Sequence, residues 1–294
     1  MKIGRCLWKT QIRMAMINES QGTATFLAPS LTQGANPLLD LITAGNTTGL
    51  PTTDVAALDE VQFLAPFSQL QRNVFAVGKN YRDHAAEFDR SGFNATTGAA
   101  AIPEYPQFFS KATTTLSGPH DPIRFDPSHT QSVDYEGEIG VVIGKTCRHV
   151  GPGDAMDHVF GYVLLNDVTA RDLQKRHAQW HLGKSLDTFC PLGPWIATRD
   201  EIQPQDCLLR TWVNEEQRQA AQFSDLIFDV PTLISTLSQA LTLLPGDIIA
   251  TGTPVGVGIG FSPPRFLRDG DVVRVAATGL GELCNPVVAR EAGK

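Results

Sequence analysis

From residue 73 onward the chain is dominated by short apolar runs separated by polar turns. They are N-V-F-A-V-G at 73–78, I-G-V-V-I-G at 139–144, V-F-G-Y-V-L-L-N at 159–166, G-D-I-I-A-T-G at 246–252 and D-V-V-R-V at 271–275. Runs of this length predict strands. Helical patterning is rarer and predicts helices over 80–90, 169–180 and 230–241. The regular strand-helix alternation of a doubly wound sheet is absent, so the pattern predicts a β-rich α+β fold. Before residue 69 it predicts a small N-terminal domain, 1–68, of short strands plus a helix over P-L-L-D-L-I-T-A-G at 37–45. A second unit then runs from 69 to 294. The stretch 91–106 is small, polar and Gly/Pro-bearing, and reads as a long loop of the kind that serves as a functional lid.

A chain of 294 residues, 42% hydrophobic, buries a sizeable core without staples. Its 31 acids against 24 Lys and Arg give a charge of -7, a field that opposes nucleic acid and anionic membranes. An anionic small molecule can still bind where cations concentrate. Cys6, Cys147, Cys190, Cys207 and Cys284 are widely spaced and form no C-x-x-C pair, which predicts free thiols and a cytoplasmic setting. No apolar run approaches the roughly 20 residues that span a bilayer. Lys2, Arg5, Lys9 and Arg13, with no acid in the first eighteen residues, are compatible with a targeting segment. Ile3, Leu7 and Met14 to Ile17 read instead as the packing positions of first strands.

Carboxylates stand out in S-V-D-Y-E-G-E-I-G-V-V-I-G, 132–144. A strand period of two places Asp134, Glu136 and Glu138 on one face, with Tyr135, Ile139 and Val141 opposite. Burying adjacent carboxylates costs several kcal/mol each unless a cation compensates. Asp167 ends the next long strand. Three hard oxygen ligands without His or Cys suit Mg2+ or Mn2+ and argue against zinc; the competing reading is a solvated acidic face.

Other groups carry chemistry with less specificity. His84 and Glu87 in N-Y-R-D-H-A-A-E stand three apart on one helical face, where a carboxylate can orient an imidazole for proton transfer; surface helices hold the same spacing. Lys184 in H-L-G-K-S-L-D-T-F-C-P could balance a bound anion or an enolate. A P-loop is ruled out by Ala178 and a hydrolase elbow by Asp187, each standing where glycine is required. T-G-T-P-V-G-V-G-I-G at 251–260 runs into F-S-P-P-R, whose prolines forbid the helix a dinucleotide loop needs. It predicts either a plain turn or one whose Thr251, Thr253 and N–H groups approach a small anion. Cys190 has no basic partner in sequence and reads as a buried thiol.

Taken together, the blocks G-K-N-Y-R-D-H-A-A-E, F-F-S-K, D-Y-E-G-E-I-G-V-V-I-G, N-D-V-T-A-R-D-L-Q, G-K-S-L-D-T-F-C-P-L-G-P and G-D-I-I-A-T-G-T-P-x-G-V-G resemble the fumarylacetoacetate hydrolase family over roughly 73 to 285. The resemblance implies a mixed β-sandwich roll, a homodimer, and one Mg2+ or Mn2+ on Glu136, Glu138 and Asp167. It further implies a water-activating dyad of His84 and Glu87, with Lys184, Thr251 and Thr253 at the substrate. Lys111, Arg171 and Gln174 are implied as further contacts. The expected reaction is hydrolysis of a carbon-carbon bond in an acylpyruvate-like β-diketo acid from aromatic catabolism. Alternatives are an isomerase or decarboxylase of hydroxymuconate-type diacids or oxaloacetate, and an idle metal-binding module.

Overall fold

A computed structural model describes residues 1–45, 47–93 and 102–290. Half of the predicted loop, residues 94–101, lies outside the described residues. Among those described, the apolar runs at 73–78, 139–144, 159–166 and 246–252 supply strands of a twelve-stranded mixed sheet, and the run at 271–275 lies in a second sheet. From one edge the path of the twelve-stranded sheet runs through Thr52–Ala57, Thr23–Leu27, Gln11–Asn18, Lys2–Trp8, Cys190–Thr198, Val159–Asn166, Gly137–Ile143, Ile248–Ala250, Val74–Gly78 and Gln107–Lys111. Gln62–Leu64 and Leu116–Ser117 pair alongside it. The basic N-terminal segment is therefore two antiparallel strands, and the division expected at 68 falls on a chain whose first strands continue the main sheet through Lys2–Trp8 and Cys190–Thr198.

The Gly137–Ile143 strand is buried along its whole length because both of its faces are covered. Ile139, Val141 and Ile143 pack with Val213, Val273, Val275 and Leu283 of a second, five-stranded sheet. Val142 faces the other way, joining Val163, Leu192 and Ile248 against Leu38, Leu39, Leu41 and Ile42 of the Pro37–Ala44 helix. Each such side chain contributes about 1.5–3 kcal/mol on full burial. The fold is thus the expected β-rich α+β arrangement, with layered mixed sheets and few helices.

Three local readings change. Asp134 does not continue the strand: Val133–Asp134 forms a separate two-stranded ladder with Thr169–Ala170, so alternation breaks before Gly137. For the same reason the helix expected over 169–180 starts only at Arg171, ends at Arg176, and resumes as His181–Lys184. The intervening Ala178 has a left-handed φ of 54°, which interrupts a helix of L-residues. The Cys190–Thr198 strand is the third, since three prolines and glycines in C-P-L-G-P masked its strand pattern.

Candidate metal centre and active site

The functional candidates converge where the Val159–Asn166 strand ends beside the start of Gly137–Ile143, with Gly137 opposite Asn166. Asn166 fixes the approach by accepting the Glu136 N–H at 3.0 Å through Oδ1, and the Asp167 N–H donates to the Glu136 carbonyl at 2.8 Å. These two bonds bring Glu136, Glu138 and Asp167 together: one oxygen from each lies within 4.8 Å of the others, and all three residues are buried.

Cations surround this cluster without matching it. Lys184 Nζ donates to Glu136 Oε2 at 2.6 Å and to Asp167 Oδ2 at 2.8 Å. Lys111 Nζ reaches Asp167 Oδ1 at 2.6 Å and the carbonyls of Val168 and Lys184. Arg171 bridges Glu136 Oε1 at 2.6 Å and Asp134 Oδ2 at 2.9 Å. Four buried carboxylates thus face three buried cations. Burial pushes Glu136 upward, but Lys184 and Arg171 more than offset it and hold the carboxyl at about 2. Glu138 is helped less: burial, then the charges of Asp167 and Glu136, push it well above the usual range, and the Lys184 charge and the Gly252 N–H offset only part of this. Among the described residues its one side-chain hydrogen bond is from the Gly252 N–H, at 2.8 Å, offered by a glycine at φ 105° that an L-residue rarely adopts. A buried all-oxygen triad short of one positive charge fits a hard divalent cation.

The 251–260 turn approaches anions, but they are the chain's own. Besides Gly252, the Gly256 N–H donates to Glu87 at 3.0 Å, and those of Gly258 and Ile259 donate to Asp134 at 2.6 and 3.2 Å. Thr251 Oγ1 donates to the Ile139 carbonyl and Thr253 Oγ1 to that of Gly137. Thr251 is therefore committed to the strand, whereas Thr253 also borders the cavity. Glu87, so anchored, lies 3.1 Å from His84 Nδ1, within the Arg82–Arg90 helix.

His84, Glu136, Arg171, Gln174, Lys184 and Thr253 border one small cavity of about 20 Å³. Lys111 stands behind it, against Asp167. Gln174 accepts from Arg171 at 3.1 Å. A far larger cavity, about 700 Å³, lies elsewhere, beside Tyr162, Arg199 and Phe223; none of the candidate residues borders it, so size and chemistry point to different places and the chemistry decides. Cys190 is fully buried, its thiol pushed up to about 12 by burial, as expected of an inert packing residue. Sequence reasoning missed the Asp134–Arg171 clamp, Gln219, which holds Thr253 and the Gly137 N–H, and Trp180, which lines the cavity. Asp134 shared the period of Glu136; Gln219 and Trp180 carried no pattern.

These features define a β-rich protein with a buried acidic centre open to one small polar cavity. The sequence profile described as fumarylacetoacetate hydrolase C-terminal matches residues 73–288, and the chain belongs to the fumarylacetoacetate hydrolase family. It is 48% identical to the oxaloacetate tautomerase YisK of Bacillus subtilis over 232 residues, 79% of this chain and 74% of that one. Among solved structures it is similar to a fumarylacetoacetate hydrolase of Exiguobacterium antarcticum, with TM-score 0.84, 42% identity, and 99% and 100% of the two chains covered. It is also similar to a 5-carboxymethyl-2-hydroxymuconate delta-isomerase of Mycobacterium smegmatis, at TM-score 0.78, 35% identity and the same coverage. Relatives of this kind act on small organic acids.

Proposed function

We propose that the protein is a tautomerase of small 2-oxo diacids, oxaloacetate being the type substrate. The observation that carries this reading is the 48% identity to a named oxaloacetate tautomerase, because hydrolysis and tautomerisation call on the same groups and only a relative of known reaction separates them. A Mg2+ or Mn2+ ion held by Glu136, Glu138 and Asp167 would supply charge stabilisation as the 2-oxo oxygen becomes negative.

The chain's own residues supply the rest. Lys184 and Arg171 are cations beside the cavity and favour the carboxylate and enolate forms of a bound acid. Gln174 and Thr253 offer polar atoms to orient it. His84, oriented by Glu87, moves the proton at carbon. In the ketonising direction the enol O–H proton passes to solvent, its electron pair forms the C=O bond, and C3 takes a proton from the protonated imidazole. Solvent then restores that proton. Every step reverses with the same groups.

Decay of the enol absorbance of oxaloacetate, followed with Mg2+ and with chelator, tests the reading. A rate above buffer that chelation removes is expected, and a rate equal to buffer sinks it. The hydrolase reading is favoured by the likeness to the Exiguobacterium enzyme; release of two acids from an acylpyruvate, lost in His84→Ala, is its signature. A homodimer is part of the proposal and is checked by light scattering. So is the division at 68, with residues 1–68 as a supporting lobe: among the described residues, none bordering the cavity precedes Val77. Phe26→Ala, in the core of that lobe, is expected to cost about 3–5 kcal/mol of stability with kcat unchanged.

A further inference from the structure

The cavity at the acidic centre, about 20 Å³, has room for about one water. A four-carbon diacid is several times larger, so a wall must yield. The charged walls are pinned by ion pairs: His84 by Glu87, Lys184 by Glu136 and Asp167, and Arg171 by Asp134.

Trp180 is different. Its indole packs edge-on against Phe88 and Phe109, with ring centroids at 5.7 and 5.3 Å. Among the described residues it donates no side-chain hydrogen bond. It rests directly on Gly78, where a Cβ would overlap the six-membered ring. Behind it, His177, Ala178 and Gln179 are exposed and join two short helices through the left-handed Ala178. Phe88 and Phe109 share its apolar contacts but sit within the Arg82–Arg90 helix and the Gln107–Lys111 strand, so Trp180, placed between two short helices, is the least restrained of the apolar walls.

We propose that Trp180 is the specificity-determining residue of the site: its indole occupies the space beside the acidic centre that a substrate's tail takes, and its outward displacement sets the length of 2-oxo acid admitted. The proposal rests on the function given above. Gly78 follows from it, since only glycine leaves the strand end flat enough for the indole to lie in.

Two variants act on the gate from opposite sides. Trp180→Ala removes the indole, and Gly78→Ala pushes it outward while keeping it. Calorimetry in saturating MgCl2 reads the binding of oxalate, which has no tail, and of 2,4-dioxopentanoate, which has one. The ratio of the two Kd values should shift toward the longer acid by about tenfold or more in both variants. Trp180→Phe, which retains ring packing, should shift it less and serves in place of Gly78→Ala should that chain not fold. The emission difference between wild type and Trp180→Phe should move to longer wavelength when the longer acid binds. An unchanged ratio, or equal weakening of both acids, overturns the proposal, as does wild-type protein that binds neither. Turnover is separate: wild type that binds both acids but leaves the oxaloacetate enol at the buffer rate sinks the tautomerase reading, while the Kd ratio still decides Trp180.

Discussion

Asp134 and Glu138 stand four residues apart, both buried, and burial pushes both carboxyls upward. Their surroundings differ. Asp134 accepts from Arg171, Gly258, Ile259 and the Tyr135 N–H. Glu138 accepts from Gly252 alone among the described residues, and Asp167 and Glu136 act on it more strongly than the Lys184 charge. A buried acid filled with donors is a fastening, holding the Arg171–Arg176 helix to the 251–260 turn. A buried acid starved of donors and crowded by other acids is where a cation gains most.

The sharpest way to break this contrast is Asp134→Ala. It leaves four donors without their acceptor, the Arg171 Nε–H among them, so denaturant unfolding should show a loss of about 3–5 kcal/mol, with Mg2+ affinity changed far less than stability. Glu138→Gln should do the reverse. The metal-free protein should melt no lower, while metal-induced stabilisation disappears and turnover falls about 100- to 1000-fold. A Glu138→Gln protein that still gains stability from Mg2+ would end the distinction.

Glu87→Gln probes a third buried acid, one held by Gly256 and set on an imidazole. Steady-state kinetics should show kcat down about 100-fold with metal affinity unchanged.

The smallest effect is pH. Glu138 has its folded pKa raised above the ordinary 4.5, so without metal the folded state holds a proton that the unfolded state releases. Stability from this group therefore falls as pH rises from about 4.5 toward the folded pKa. An ion takes the proton's place, so its affinity should rise with pH by at most about tenfold per unit over that window and level off above it. Melting curves with and without Mg2+ from about pH 5.5 to 8 measure this; a stabilisation that shrinks with pH contradicts the assignment.

Much of the arrangement could be read before any coordinates. The central strands announced themselves as apolar runs because burial on both faces leaves no polar positions to confuse the period. The Arg82–Arg90 helix and its His84–Glu87 pair followed from local spacing, since residues three apart in a helix are neighbours whatever surrounds them. The Cys190–Thr198 strand was hidden, because its prolines and glycines are read locally as breakers while the sheet on either side holds them extended.

What the sequence by itself determined is the inventory: hard oxygen ligands without nitrogen or sulfur, a β-rich α+β chain, a net negative charge, and motif blocks specific enough to identify a family. What only the tertiary structure decided is which of those groups share a solvent-free space and which are already satisfied. Asp134 and Glu138 look alike along one strand period. A break in the strand before Gly137, the Arg171 side chain and a turn more than a hundred residues away gave one of them four donors and left the other with few. Thr251 and Trp180 were sorted the same way, one into the sheet and one onto the mouth of the cavity. Hydrogen-bond satisfaction and packing depend on distant partners, and no local pattern records them.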